Sequence, residues 1–265
     1  MNKEIQDLFY KQLIGSTLDS NYYSFDENAI ELWEKKSAKG IITSIPFLHT
    51  IDSFQMIEFS GSSGTGKTSL AYDVLYHCIL HEQYGGLESN AVLFDMDNKL
   101  DLVKLIRIIE NKIISIREVR LMHPEQIHSL LYEMFGRITV YTPTSLQHLH
   151  QNLISLIQSE KSIRLVVYDS FLAYLFELQK DSIEISLFKA VLLRTKELLR
   201  VKKASAILIT PMITTNKQNI VLPHFLSNYI QITCIYSCSF YQVSCSKLSK
   251  EPSIFVIKDG CFMFQ

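Results

Sequence analysis

The run Gly61-Ser62-Ser63-Gly64-Thr65-Gly66-Lys67-Thr68 constrains this chain more than any other stretch. It reads G-x-x-x-x-G-K-T, in which glycines let successive backbone N–H groups turn inward around an anion, the lysine brings a mobile positive charge, and the hydroxyl suits magnesium. Three of the chain's nine glycines stand here. The flanks fit the motif. Phe54 to Phe59 mixes apolar and polar residues as a strand does, and Ser69 to His81 predicts a helix with Leu70, Val74, Leu75 and Cys78 on one side. Strand, loop, helix is the order required, because the helix N-terminus must point its dipole at a phosphate. The candidate nucleotide-binding residues are therefore Gly61 through Ser69, with Lys67 aimed at the β/γ-phosphates and Thr68 at the metal. A fortuitous Gly/Ser-rich turn is the competing reading, and the flanks argue against it.

With 265 residues, 47% of them hydrophobic, the chain can bury one sizeable core. The expected layout is an N-terminal arm or linker over residues 1–50 and one nucleotide-binding domain over 51–265. A formal net charge of −1 gives no global field toward nucleic acid or an anionic membrane, so any such binding must come from local patches or partner chains. Lys3, Glu4, Asp7 and Lys11 break up the first residues as no signal peptide would allow, and no run nears the length of a membrane span. A soluble intracellular protein is expected. The five cysteines (Cys78, Cys234, Cys238, Cys245 and Cys261) include no C-x-x-C pair and read as free thiols, with a C-terminal metal site as the competing assignment. His148 and His150, two apart, fall on different sides of a helix and read as surface or packing residues.

Along the arm, Ile5, Leu8, Phe9 and Leu13 recur at helical spacing, for packing on the chain's own domain or docking onto another subunit. From Gln55 onward strand and helix alternate. Ala91 to Phe94 is a short buried strand ending at Asp95 and Asp97. Leu100 to Ile116 is helical, with Leu102, Leu105, Ile106, Ile109 and Ile113 as the buried face, and Pro124 opens a helix that Gly136 closes. Arg137 to Tyr141 is a strand, Thr144 to Gln158 a helix, Ile163 to Tyr168 an apolar strand ending at Asp169, Ser182 to Lys203 a long helix, and Ala204 to Thr210 a further strand. Such alternation predicts an α/β fold with a largely parallel sheet, right-handed crossovers and ligands at the strands' carboxyl ends. After Pro211 the helical period stops. Tyr229 to Cys234, Phe240 to Cys245, and a hairpin turning at Asp259-Gly260 extend the sheet with antiparallel strands.

Asp169 ends its strand 102 positions after Lys67, with further strands between them, which suits an aspartate helping to hold Mg²⁺; a helix cap is the competing role. The loop at Gly61 to Thr68, Gly85-Gly86 before Leu93-Phe94-Asp95-Met96-Asp97, Leu165 to Ser170, and Ile207 to Thr210 together resemble the core of the RecA-like strand-exchange recombinases. Gly85-Gly86-Leu87-Glu88 and the Asp95-x-Asp97 pair leading into an apolar helix resemble, more narrowly, a small eukaryotic recombinase paralogue. The resemblance implies a RecA-like ATPase core, ATP and Mg²⁺ as ligands, and Lys67, Asp97 and Asp169 as the catalytic set, with Thr68 and Asp169 on the metal. It also implies a nuclear role in repairing DNA double-strand breaks by homologous recombination. The implied partners are other paralogues in a hetero-oligomer, the recombinase filament, and single-stranded or branched DNA bound weakly by this chain alone.

Three departures from the family pattern matter. Where active members position the attacking water with a glutamate, this chain holds Asp97, one methylene shorter; a displacement of about 1 Å can cost about 10²-fold in rate. Where the family places a γ-phosphate-sensing glutamine, Pro211-Met212 stands, so weak coupling between nucleotide state and DNA contact is expected. The family's F-x-x-A polymerisation motif has no match, which favours a place at one end of a hetero-assembly over a self-assembling filament.

The basic stripe Lys189, Lys196, Arg200 and Lys203 lies opposite Leu187, Val191 and Leu198 and reads as a solvated face, with phosphate binding as the alternative. By resemblance the DNA loops fall at Phe171 to Asp181 and Pro211 to Phe225, where Lys217, His224, Asn216 and Asn219 offer polar contacts. Phe171, Tyr174 and Phe176 offer stacking surfaces, with at least two of the three expected in the core. Three functions stay open on the sequence: an ATP-binding accessory subunit that helps load or stabilise the recombinase on single-stranded DNA, an active RecA-like ATPase motor or sensor, and an interaction module with a relic loop.

Overall fold

The computed structural model describes residues 39–171, 173–175, 182–211, 214–215, 218–219, 229–237, 240–245, 253–258 and 261–264. The arm helix with Ile5, Leu8, Phe9 and Leu13, and the residues Phe176, Met212, Asn216, Lys217, His224, Cys238 and the Asp259-Gly260 turn, lie outside the described residues.

A hairpin of β1 (Ile41–Ile42) and β2 (Thr50–Ile51) leads into β3 (Met56–Gly61), α1 (Lys67–Ile79) and β4 (Asn90–Asp95). Then come α2 (Leu102–Ser115), the short α3 (Arg117–Arg120), α4 (Pro124–Gly136), β5 (Ile138–Tyr141), α5 (Leu146–Gln158), β6 (Ile163–Asp169), α6 (Ser182–Lys202) and β7 (Ser205–Pro211). A two-residue hairpin, β8 (Thr214–Thr215) with β9 (Gln218–Asn219), precedes β10 (Tyr229–Ser237), β11 (Phe240–Cys245), β12 (Ser253–Lys258) and β13 (Cys261–Phe264). The main sheet runs β13-β12-β11-β10-β3-β7-β6-β4-β5. From β10 to β5 every pairing is parallel, and β11, β12 and β13 continue antiparallel, as the change of pattern after Pro211 predicts.

Strands buried on both faces read as continuous apolar runs, and Leu165-Val166-Val167-Tyr168 is one. Alternate residues feed two cores. Ile57, Phe59, Leu93, Leu165, Val167, Ile207 and Ile209 meet α1, α2 and α4 on one face, while Val92, Phe94, Val166, Tyr168, Ala206 and Leu208 meet α5 and α6 on the other. The result is a three-layer α/β RecA-like fold.

Packing revises several expectations from sequence. Ile41, Ile45 and Leu48, from the hairpin that precedes residue 51, pack in the same core as α1. Strand β3 starts at Met56 after a turn with Phe54 at φ 70°, and all six of its residues are buried, Glu58 and Ser60 included. Helix α1 buries eleven of its thirteen residues rather than one stripe, because the sheet, the hairpin and α2 enclose it. On α2 the buried set is Leu105, Ile108, Ile109 and Ile113; Leu102 and Ile106, assigned inward by periodicity, are 52% and 39% exposed. No helix among the described residues is long and apolar enough to cross a membrane.

The Gly85-Gly86-Leu87-Glu88 run is a joint between α1 and β4. Gly85 has φ 87°, and a Cβ on Gly86 would lie 2.0 Å from the Leu80 carbonyl oxygen, a position only glycine can occupy. Glu88 then pairs with Arg137 at 2.8 Å and His81 at 3.2 Å. On the opposite side of α1 the fully buried Asp73 forms an ion pair with Lys112 of α2 and accepts a hydrogen bond from the Ser44 hydroxyl at 2.9 Å, tying hairpin, α1 and α2 together. Breaking a buried pair strands a charge, whereas removing both charges does not. Lys112→Met should cost about 3 kcal/mol in denaturant unfolding of the full chain, and adding Asp73→Leu should recover most of that loss.

Candidate functional site

Because β3, β4, β6 and β7 run parallel, their carboxyl ends lie along one edge. The register places Gly61 beside Pro211 and Asp95 beside Asp169. Strand β7 separates β3 from β6, so the loop and Asp169 face one another across one intervening strand.

The loop is shaped by close approach and by left-handed backbone. A Cβ on Gly61 would lie 2.3 Å from the Cys234 carbonyl oxygen of β10, so only glycine lets β3 pass this close. Gly66, at φ 84°, forms the N-cap of α1 and offers no side chain, and the first turn of α1 carries no acid. Its leading amides are left to whatever lies in the loop. Thr65 closes the turn by donating its hydroxyl to the Ser62 carbonyl at 2.9 Å. The Lys67 ammonium lies within the curve, donating to the Gly61 carbonyl at 2.9 Å and the Ser62 carbonyl at 2.6 Å. Burial lowers the Lys67 pKa, with Cys234 and Asp169 opposing. Ser69 is buried beneath the loop.

The Thr68 hydroxyl donates to the Asp169 carboxylate at 3.5 Å. Burial first, then the charges of Asp97 and Asp95, push Asp169 up to about 6. Of the aspartates after β4, Asp95 is buried and accepts the backbone N–H groups of Lys99 at 3.1 Å and Leu100 at 3.0 Å, a turn-forming role. Asp97 accepts from the Lys99 ammonium at 2.9 Å. Asp95 thus holds the turn through backbone amides, while the partner of Asp97 is a side chain.

Sequence reasoning passed over Glu58. It is 1% exposed in the middle of β3 and accepts a hydrogen bond from the Thr210 hydroxyl at 2.5 Å, joining β3 to the end of β7. The signal was a lone carboxylate in a strand otherwise fit for a core, three residues before the loop. Beside it, the Ser60 and Thr233 hydroxyls stand 3.4 Å apart, linking β3 to β10.

The nucleic-acid candidates fare differently. Phe171 is 1% exposed, packed edge-on to Tyr168 and against Phe188, so it offers no stacking surface. Tyr174 is partly buried and donates its hydroxyl to the Pro143 carbonyl. On α6, burial lowers the Lys196 pKa, so the basic stripe is not a uniformly solvated face. Asn219 pairs with Thr214 across the β8–β9 hairpin. Cys78 and Cys234 are buried free thiols, both pushed up to about 12 by burial. Among the described residues no three His, Cys, Asp or Glu side chains gather as a metal cage.

A RecA-like core with a glycine-lysine loop facing a strand-end aspartate is the class these elements define. The chain is similar to the DNA repair protein XRCC2 of Mus musculus, with 29% identity over 121 residues, which is 45% of this chain and 40% of that protein. The matched segment thus spans about two fifths of the relative's length, and no protein-family model matches the chain. This similarity agrees with the recombinase-paralogue resemblance read from the loop, the Gly85 to Glu88 run and the strand-end aspartates.

The raised Asp169 pKa carries a sign. A folded-state value above the unfolded one means the native chain holds the extra proton between about pH 4 and pH 6, so stability from this group falls as pH rises through that window. Asp169→Asn should therefore unfold later than the parent at pH 7.5 by about 2 kcal/mol, the gap closing below pH 4. Denaturant titrations of the nucleotide-free chain at both pH values measure it.

Proposed function

We propose that this chain binds ATP with Mg²⁺ at the loop and serves as an accessory subunit of a recombinase-paralogue complex in homologous-recombination repair. Meeting of Lys67, Thr68 and Asp169 at one sheet edge, above helix amides that no side chain caps, carries the reading. The loop amides and Lys67 hold the β- and γ-phosphates. The residues fit magnesium: a threonine hydroxyl and a carboxylate are hard oxygen donors, and the crowding of Asp97 and Asp95 on Asp169 is a local excess of negative charge that a divalent cation relieves. Magnesium would be held by Thr68 and Asp169 and would neutralise phosphate charge.

The similarity to a DNA repair protein supports the pathway and, with it, a nuclear location and other paralogues as partners. Within such a complex the chain helps load or stabilise the recombinase on single-stranded DNA, its own DNA contact being weak at a net charge of −1. The short Asp97 side chain favours retaining nucleotide over hydrolysing it.

Thermal unfolding of the full chain tests the nucleotide reading. ATP and Mg²⁺ at 100 times the dissociation constant should add about 2.7 kcal/mol, and Lys67→Ala should abolish the gain. Absence of any shift in the parent protein would sink it. Co-expression with recombinase paralogues, followed by mass measurement of what co-purifies, tests the partner, and recovery of the chain alone in every case counts against the assembly.

A further inference from the structure

The turn after β4 is held rigidly. Asp95 accepts two backbone amides, from Lys99 and Leu100, and Asn98 between the paired side chains sits in left-handed backbone at φ 54°. This turn brings the Lys99 ammonium back over Asp97 at 2.9 Å. The Lys99 side chain is 78% exposed while that of Asp97 is 23% exposed, so the cation lies on the solvent side of the carboxylate. Asp97 is also near enough to Asp169 for its charge to be felt there, which sets it at the rim of the proposed phosphate site.

We propose that Lys99 is a positioning residue that restrains turnover: its ion pair with Asp97 occupies the carboxylate oxygen that would otherwise orient the attacking water. The inference rests on the nucleotide-binding reading of the loop. In the restrained step the water oxygen bonds to the γ-phosphorus while the bond from that phosphorus to the β,γ-bridging oxygen breaks. ADP departs with the bonding electron pair, and the water's proton passes by way of Asp97 to the released phosphate or to solvent. An Asp97 engaged by an ammonium is a poorer acceptor for that water. The hydrogen bond to Asp97 and its charge, aided by Asp95 and Asp169, hold Lys99 above the usual lysine range, so the cation persists at neutral pH.

The strength of an exposed pair sets the size of the effect. Opening it should release about 1.4- to fivefold in turnover. Steady-state ATP hydrolysis and fluorescent-nucleotide binding by the full chain are measured for the parent, Lys99→Met, Lys99→Arg and Lys99→Met/Asp97→Asn, with Lys67→Ala as the background. Lys99→Met should raise kcat with nucleotide affinity unchanged, Lys99→Arg should behave as the parent, and the double variant should lose the gain. Raising the salt concentration should increase turnover in the parent and leave Lys99→Met flat, since screening opens the pair only where it exists. If Lys99→Met binds nucleotide as the parent does but hydrolyses it no faster, the restraint does not exist. If the parent binds no nucleotide, the loop reading itself fails and takes this inference with it.

Discussion

An uncapped helix N-terminus organises this molecule. Helices leave their leading amides without intrahelical partners, and most sequences supply a serine, threonine or aspartate side chain to take one of them. Here Gly66 supplies none, and the backbone in the left-handed region directs the chain so that Lys67 and the amides share one concavity. That arrangement is unfavourable unless something rigid surrounds it. The rigidity comes from three sides: α1 buried on nearly its whole circumference, β3 flanked by parallel strands, and the β10 carbonyl against Gly61.

Charge is distributed around this concavity in a consistent way. Lys67 is turned inward by the loop itself, while on the facing edge burial and the charges of Asp97 and Asp95 raise the cost of ionising Asp169. The anionic side suits a metal and the cationic side a phosphate, an asymmetry expected of a site for a metal–nucleotide complex. Away from it, the buried Asp73 is matched by Lys112, an ion pair that cross-links α1 and α2.

Much of this was legible in the residues. The loop, the order of elements, the strand ending at Asp169 and the switch to antiparallel pairing after Pro211 all follow from period and punctuation, because parallel strands buried on both faces must be apolar throughout and turns must hold glycine or proline. What periodicity could not show is which of two apolar flanks of an enclosed helix faces the core. On α2 the apolar residues wrap more than half the circumference, so periodicity assigned Leu102 and Ile106 inward and passed over Ile108, which is buried. The hairpin at residues 41–51 escaped for another reason: two-residue strands carry almost no pattern, and their place is fixed by Ile45 and Leu48 packing on α1. Glu58 and the different tasks of Asp95 and Asp97 depend on partners that are remote in sequence or hidden in backbone amides, and spacing carries no record of those.

The contact between Ser60 and the β10 backbone at Ile232 joins residues 172 positions apart. Contacts that long are slow to form, since a large loop of chain must close before they return any energy. On the ribosome, then, the glycine-rich turn is made well before β10, the strand that walls it, as domains acquire their structure in the order of synthesis. Both neighbours of β3, β7 and then β10, are made after it, and a strand with an unpaired edge invites pairing with another chain. The glycine-rich turn thus acquires its wall only when a strand encoded far downstream of it docks.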